Sequence, residues 1–351
     1  MILTRSPYYI NDTIIYADIP RGILALYIWE GLVSDKPASP TYEITKEIYG
    51  VVTIDSPTTE LTFEISNLIR DYYNHVPVFS LDTEIIENGG GVLFVEGEIT
   101  YPVGIQPTEV ISRMSAIDGY GYFMEGANPD IPDNNFLLSN NYYVVNKQGF
   151  FNVPFRNTAA GEAGSGAIYI NGTPYLTTPI NSTANQVNNL WINLSFFDEN
   201  IEVVYLGETI YLELQTECKY QPVDVMFLNK YGSWEIMSFF KAQRKSINTD
   251  SKDFKNNVAT AGAYLTNKAQ YQRYNVNGME SLKLNSGYLP ESYNETVTQL
   301  LLSEKVYLLN GGNHIPMKIN TQSYEFKTRI NDKLISHEID MQYAFDLINN
   351  I

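Results

Sequence analysis

Three histidines, one cysteine and forty acidic side chains are the groups in this chain that could do chemistry, and their spacing supports little of it. His75, His314 and His337 stand far apart, and none sits in an HExxH pattern or at ligand spacing from a carboxylate. A zinc site needs four ligands to converge on one ion, so scattered histidines argue against it. His337 falls on the apolar face of an alternating run, which predicts a core imidazole. Cys218 has no cysteine to pair with, so an internal disulfide and a CxxC site are excluded; it reads as a small buried residue. There is no GxSxG nucleophile elbow and no GxxxxGK[ST] phosphate loop. The run from Gly119 to Gly126, with Gly121 between, imitates part of a dinucleotide fingerprint, but its spacing is wrong and no strand–helix unit surrounds it. Paired carboxylates for glycoside hydrolysis need only meet in space. Asp118, Glu125 and Asp130 are the candidates, and a solvent-facing role suits them equally well. The expectation is a protein that is not an enzyme, with no catalytic residue, metal, cofactor or small-molecule substrate.

Charge is more informative. The net charge is −17, but residues 1–217 hold 27 acidic and 8 basic side chains, whereas residues 218–351 hold 13 and 15. An acidic surface in one region and a neutral to basic one in the other could stack in an assembly; a simple solvated acidic surface explains the numbers as well. Nucleic acid is disfavoured as a partner of the acidic region. Basic residues concentrate at Lys241, Arg244, Lys245, Lys252 and Lys255, interrupted by Asp250 and Asp253. This segment reads as a loop. It is the candidate interface, meeting an acidic neighbouring subunit or passing DNA, with an ordinary exposed loop as the plain alternative.

The elements that must position these residues read as strands. The chain is 44% hydrophobic and 18% charged, and its 27 Tyr and 16 Phe, with abundant Ile, Val and Thr, favour half-buried pleated structure. Strands are expected around a turn at Pro20–Gly22, at 41–45 and 51–54, and on either side of Gly89-Gly90-Gly91. A helix is expected over 61–73, because Leu61, Ile65, Leu68, Ile69 and Tyr72 repeat at helical spacing. Residues 118–140 read as a long loop. Asn171-Gly172 signals a tight hairpin, and strands follow at 190–197, 201–206 and 209–215. Val223–Leu228, a turn at Asn229–Gly232 and Trp234–Phe240 come next. Pro290 opens a second helix to about 303, with Tyr293, Val297, Leu300 and Leu301 on one face. Ile335, His337, Ile339, Met341, Tyr343 and Phe345 alternate as a strand with one buried face. The fold class is therefore mostly β: two or three β-sandwich-like regions with about two short helices. The expected divisions are 1–145, 146–217 (which could run on into the next) and 218–351. No run is long enough to span a bilayer as a helix, and the opening MILTRSPYYIND lacks the pattern of a signal peptide, so a soluble chain is expected.

Several segments resemble a known group. Glu217-Cys218-Lys219-Tyr220-Gln221-Pro222-Val223 runs into Val225–Gly232, Trp234 and Phe239-Phe240-Lys241, and then into Arg244-Lys245-Ser246. The stretch 287–304 with Lys305–Leu309, the ending Lys327–Ile335 with 344–350, and the opening Arg5–Tyr9 belong to the same pattern. Together they cover about a third of the chain and resemble structural tail and neck proteins of crAss-like and related tailed bacteriophages. The resemblance implies a β-rich virion subunit, synthesised and assembled in the host bacterial cytoplasm. Copies would form a homo-oligomeric ring of the portal-proximal tail barrel, around the DNA channel, touching neighbouring tail or portal proteins and passively the genome, with no membrane partner. It implies no catalytic motif. The rival expectation is a carbohydrate-binding or adhesive β-sandwich module, as in a receptor-binding tail component. That rival calls for exposed aromatic platforms, whereas Trp29, Trp191 and Trp234 lie in apparent strands and read as buried.

Overall fold

The computed structural model describes residues 1–14, 21–31, 33–47, 59–73, 79–86, 92–102, 107–129, 131, 136–156, 167–176, 187–259, 261–325 and 334–349. The chain is mostly β. It forms two compact units, Met1–Gln215 with Leu228–Ile236, and Thr216–Phe227 with Met237–Ile351.

In the first unit a five-stranded sheet runs Ile2–Leu3, Glu109–Ile117, Leu93–Thr100, Arg21–Trp29 and Tyr42–Glu47 in spatial order. Arg21–Trp29 is paired on both sides, as its apolar character on both faces demands. Leu24, Leu26, Ile28, Val95 and Ile99 pack with Ile10, Ile14, Leu61 and Phe63 of a second, two-stranded sheet made by Tyr9–Ile14 and Thr59–Glu64. The expected helix over 61–73 is thus half strand. Leu61 and Phe63 are buried while Glu60 is exposed, so a period of two wins where Tyr9–Ile14 offers a backbone partner. The helix is only Ser66–Arg70, and the Glu64 carboxylate accepts from the Ser66 N–H at 2.9 Å where the helix begins. The expected strand at 51–54 and the glycine triplet lie outside the described residues.

Two more sheets complete this unit. Phe150–Arg156, Val187–Asn193 and Glu84–Ile86 form one; Thr173–Leu176, Ile168–Ile170, Ile201–Tyr205, Glu208–Gln215 and Tyr142–Asn146 form the other. Asn171 and Gly172 both take positive φ, 50° and 73°, the geometry that makes Asn-Gly a two-residue hairpin turn. Hydrogen-bonded ladders run across residue 145: Glu84–Ile86 pairs with Val187–Asn193, and Tyr142–Asn146 with Glu208–Gln215. Trp29, Trp191 and Trp234 are all buried, as expected of tryptophans in core strands.

The second unit is organised by a seven-stranded sheet, in the order Trp234–Phe239, Val223–Leu228, Val306–Asn310, Asn313–Ile319, Leu334–Tyr343, Tyr271–Pro290, Arg244–Lys255. Ile335, His337, Ile339 and Met341 are buried and Glu338 and Asp340 exposed, the expected alternation, but Tyr343 is half-buried and Phe345, expected on the same face, is exposed past the end of the strand. The second helix is Tyr293–Leu302, burying Tyr293, Val297 and Leu300. Its Gln299 side chain donates to Glu295 at 2.8 Å, one turn back.

Candidate interaction surface

The segment from Arg244 to Lys255, expected as a loop, is a twelve-residue strand at the edge of the seven-stranded sheet. Every residue in it is exposed except Ser251, which is half-buried. With water on both faces the strand has no hydrophobic alternation, and alternation was the signal that found the others. Its partner, Tyr271–Pro290, is twenty residues long. Only the Ser281–Pro290 half of that partner pairs with Leu334–Tyr343. The two strands pair from Arg244 opposite Lys283 to Lys255 opposite Tyr271, and past Ser281 they continue as a ribbon. Near the middle the C-terminal segment braces the ribbon: the Leu347 N–H donates to the Gly278 carbonyl at 2.8 Å, and Asn277 Nδ2 to Asp346 at 3.0 Å. A bulge at Asn275, φ 49°, separates that braced part from the outer part.

The outer ribbon keeps its own local order. Lys252 lies opposite Tyr274 and Phe254 opposite Gln272, and the rings of Phe254 and Tyr274 meet edge to face at 5.4 Å. On the other face Lys255 lies opposite Tyr271, its ammonium 6.0 Å from the ring centroid, and Arg273 Nε donates to Ser251 Oγ at 2.7 Å. Such contacts are modest, and a two-stranded ribbon alone is marginally stable in water. Even so, Phe254 is 43% exposed, Tyr271 64% and, in the connection at the tip, Tyr264 69%. Aromatics thus stand in water on both faces and at the end.

The five basic residues singled out from sequence are placed along this edge and are not drawn into one patch. Arg244 to Lys255 spans roughly 36 Å of extended backbone. Alternation puts Arg244 and Lys252 on one face, Lys245 and Lys255 on the other. Lys241 lies just before the strand and is ion-paired to Glu217 at 2.8 Å; Lys245 is paired to Glu280 at 2.7 Å. Arg244, Lys252 and Lys255 are exposed on the ribbon.

Of the groups considered for catalysis, Asp118 and Glu125 hold structural contacts. Asp118 is buried, accepts from Thr4 Oγ1 at 3.3 Å and faces Arg70 Nε at 3.5 Å. Glu125 is ion-paired to Lys230 and accepts from the Tyr122 N–H at 3.0 Å. Asp130 and His75 lie outside the described residues. A Cβ at Gly119 would meet the Lys230 carbonyl oxygen at 2.5 Å, so this glycine permits a close backbone approach, with the Tyr120 N–H donating to that carbonyl at 2.9 Å. Cys218 is exposed, contrary to expectation, because it sits in an irregular connection where Glu217 accepts from the Lys219 N–H. Among the described residues no three His, Cys, Asp or Glu side chains gather as a metal would need. His337 is buried. Burial lowers its pKa to about 4, and its Nδ1 lies 2.5 Å from the Tyr324 hydroxyl.

One polar cluster escaped the sequence reading. Glu235 is fully buried, and its carboxylate accepts from the Ser139 N–H (3.1 Å), Asn229 Nδ2 (2.9 Å), the Tyr143 hydroxyl (2.9 Å) and the Ser139 hydroxyl. Burial pushes its pKa up against the pull of those donors. With the Ser139 proton committed to Glu235, and no histidine in the cluster among the described residues, the arrangement fastens the hairpin tip to the 137–143 segment. Nothing in the spacing of 139, 143, 229 and 235 could have announced it.

The fold and this surface define a mostly-β protein that carries an exposed aromatic and basic ribbon. No protein-family model matches the chain, and no curated protein matches it. No helix among the described residues is long and apolar enough to cross a membrane.

Proposed function

We propose that the chain is a structural subunit of a tailed-phage virion, a homo-oligomeric ring of the portal-proximal tail barrel around the DNA channel. The observation that carries this reading is the ribbon. An edge strand twelve residues long with aromatics exposed on both faces of its hairpin is a liability in an isolated protein and an asset in one that is completed by neighbours. The segments resembling tail and neck proteins include the start of that ribbon, Arg244-Lys245-Ser246. Ring contacts are heterologous, so one surface must fit a different one on the next copy, and the uneven charge of the chain supplies such a pair. The test is solution mass at micromolar concentration, electron microscopy of whatever forms, and gold-labelled antibody on tailed particles of the phage that encodes the chain. Closed rings and label on the tail are the expected results; unlabelled particles overturn the reading.

A second reading, a carbohydrate-binding module, is favoured by one feature of the first unit. An open cleft of about 640 Å³ is lined by Tyr142, Tyr211, Asn171, Asn200 and the carboxylates Glu199, Glu202 and Glu213. Tyr211 is half exposed there and could stack on a sugar. A strictly monomeric chain that binds a glycan array, and loses that binding in Tyr211→Ala, would establish this reading over the first.

A further inference from the structure

We infer that the ribbon is an arm whose partner is the acidic first unit of a second copy of this chain. The inference rests on the assembly reading above and names the contact that assembly would use. From Arg244 to its partner Lys283 the arm carries seven basic side chains (Arg244, Lys245, Lys252, Lys255, Lys268, Arg273, Lys283) against Asp250, Asp253 and Glu280, a balance of +4. The first unit, by contrast, carries 27 acidic side chains against 9 basic, a balance of −18. Unlike charge of that size steers two copies together and fixes which surfaces meet, while apolar burial supplies the affinity. The arm has the apolar groups for that purpose: Ile247, Phe254, Tyr264, Leu265 and Tyr271, all well exposed.

Duplex DNA fits the same arm less well. A phosphate-binding ribbon gains nothing from exposed Ile247, Phe254 and Leu265, and Asp250 and Asp253 would face the same phosphates as the lysines. Contact with a second arm is disfavoured too, since it would bring two positive ribbons together. The arm's features are therefore those of a protein partner that is acidic, and this chain provides one.

The experiment uses the full chain. Equal amounts of ¹⁴N- and ¹⁵N-labelled protein are mixed at low salt and treated with a carbodiimide. This reagent joins a lysine amine to a carboxylate in contact with it, with loss of water, so mass spectrometry reads both partners and whether they came from different copies. The expected links run between copies, from Lys252, Lys255 and Lys268 to carboxylates within 1–215. In parallel, sedimentation velocity compares the wild type with Lys252→Glu/Lys255→Glu/Arg273→Glu and with Phe254→Ser/Tyr274→Ser, each checked for unchanged circular dichroism. Self-association should weaken about tenfold or more in both variants, and several-fold in the wild type at high salt. A chain that associates with no inter-copy links from the arm, or with arm-to-arm links, overturns this inference and leaves the assembly reading standing. Binding of random-sequence duplex DNA that is lost in the charge-reversed variant, with self-association unchanged, also overturns it. A chain that stays monomeric at every salt and concentration overturns both.

Discussion

His337 should remain neutral in the folded protein far below the pH at which a free imidazole takes up its proton. The side chain is wholly buried on the strand Leu334–Tyr343, and burial lowers its pKa from 6.5 to about 4. Burial is the cause of that shift. Nδ1 meets the Tyr324 hydroxyl at 2.5 Å, the two rings stack with centroids 6.0 Å apart, and Nε2 has no hydrogen-bond partner among the described residues. The neighbouring carboxylate, Glu338, points to the exposed side and is ion-paired to Lys283 at 3.0 Å. Between pH 6.5 and about 4 the unfolded chain therefore binds a proton that the folded chain refuses. Stability is fully present above 6.5 and drains away as the pH falls toward 4. Linkage over that interval gives about 2 kcal/mol lost at pH 5 and roughly 3 kcal/mol by pH 4. Glu235 works in the opposite sense, because its raised pKa lets the folded chain hold a proton the unfolded chain has released. The two effects are separable. Comparing the wild type with His337→Asn isolates the histidine, because Glu235 is present in both. Urea unfolding followed by circular dichroism at pH 7.5 and pH 5 should show the wild type losing about 2 kcal/mol more than His337→Asn. Imidazole NMR offers a direct check: of three signals, the one missing from the variant should not titrate above pH 5. A midpoint at or above 6 for that signal would refute the argument from burial.

Other expectations follow from packing and hydrogen bonding. Glu235→Gln replaces an acceptor facing Ser139, Asn229 and Tyr143 with an amide that must present two hydrogens to donors, and should cost about 2 kcal/mol in fluorescence-monitored urea unfolding. Gly119→Ala forces a methyl against the Lys230 carbonyl and should destabilise the same unit by about 1–3 kcal/mol. Leu284→Ala empties a fully buried position of the seven-stranded sheet, at about 2–5 kcal/mol, read by circular dichroism. Phe254→Ser, equally drastic in chemistry, should stay within about 0.5 kcal/mol of the wild type, because the ring is half in water and makes one aromatic contact.

The contrast between Leu284 and Phe254 also explains what the sequence could and could not disclose. Where one face of an element is buried, the side chains record the pleat or the helical turn. Ile335 through Met341 and Tyr293 through Leu300 could be read directly, and Asn171-Gly172 declared its turn because few other pairs tolerate two positive φ values. Where two periods compete the reading fails: Leu61, Ile65, Leu68 and Ile69 satisfy a helix, Leu61, Phe63 and Ile65 satisfy a strand, and the backbone partner Tyr9–Ile14 decides. Where neither face is buried there is no record at all. Arg244–Lys255 therefore looked like a loop, and its partner Tyr271–Pro290, whose outer half is equally wet, went unseen. The basic residues on it are legible; that they ride on an edge strand and alternate between its faces is not. The Glu235 cluster was hidden for another reason, since its members come from segments about 90 residues apart and a hydrogen bond leaves no period. On the outer ribbon the backbone is paired strand to strand while the aromatics stand in water, and that combination is the ground for proposing a partner there.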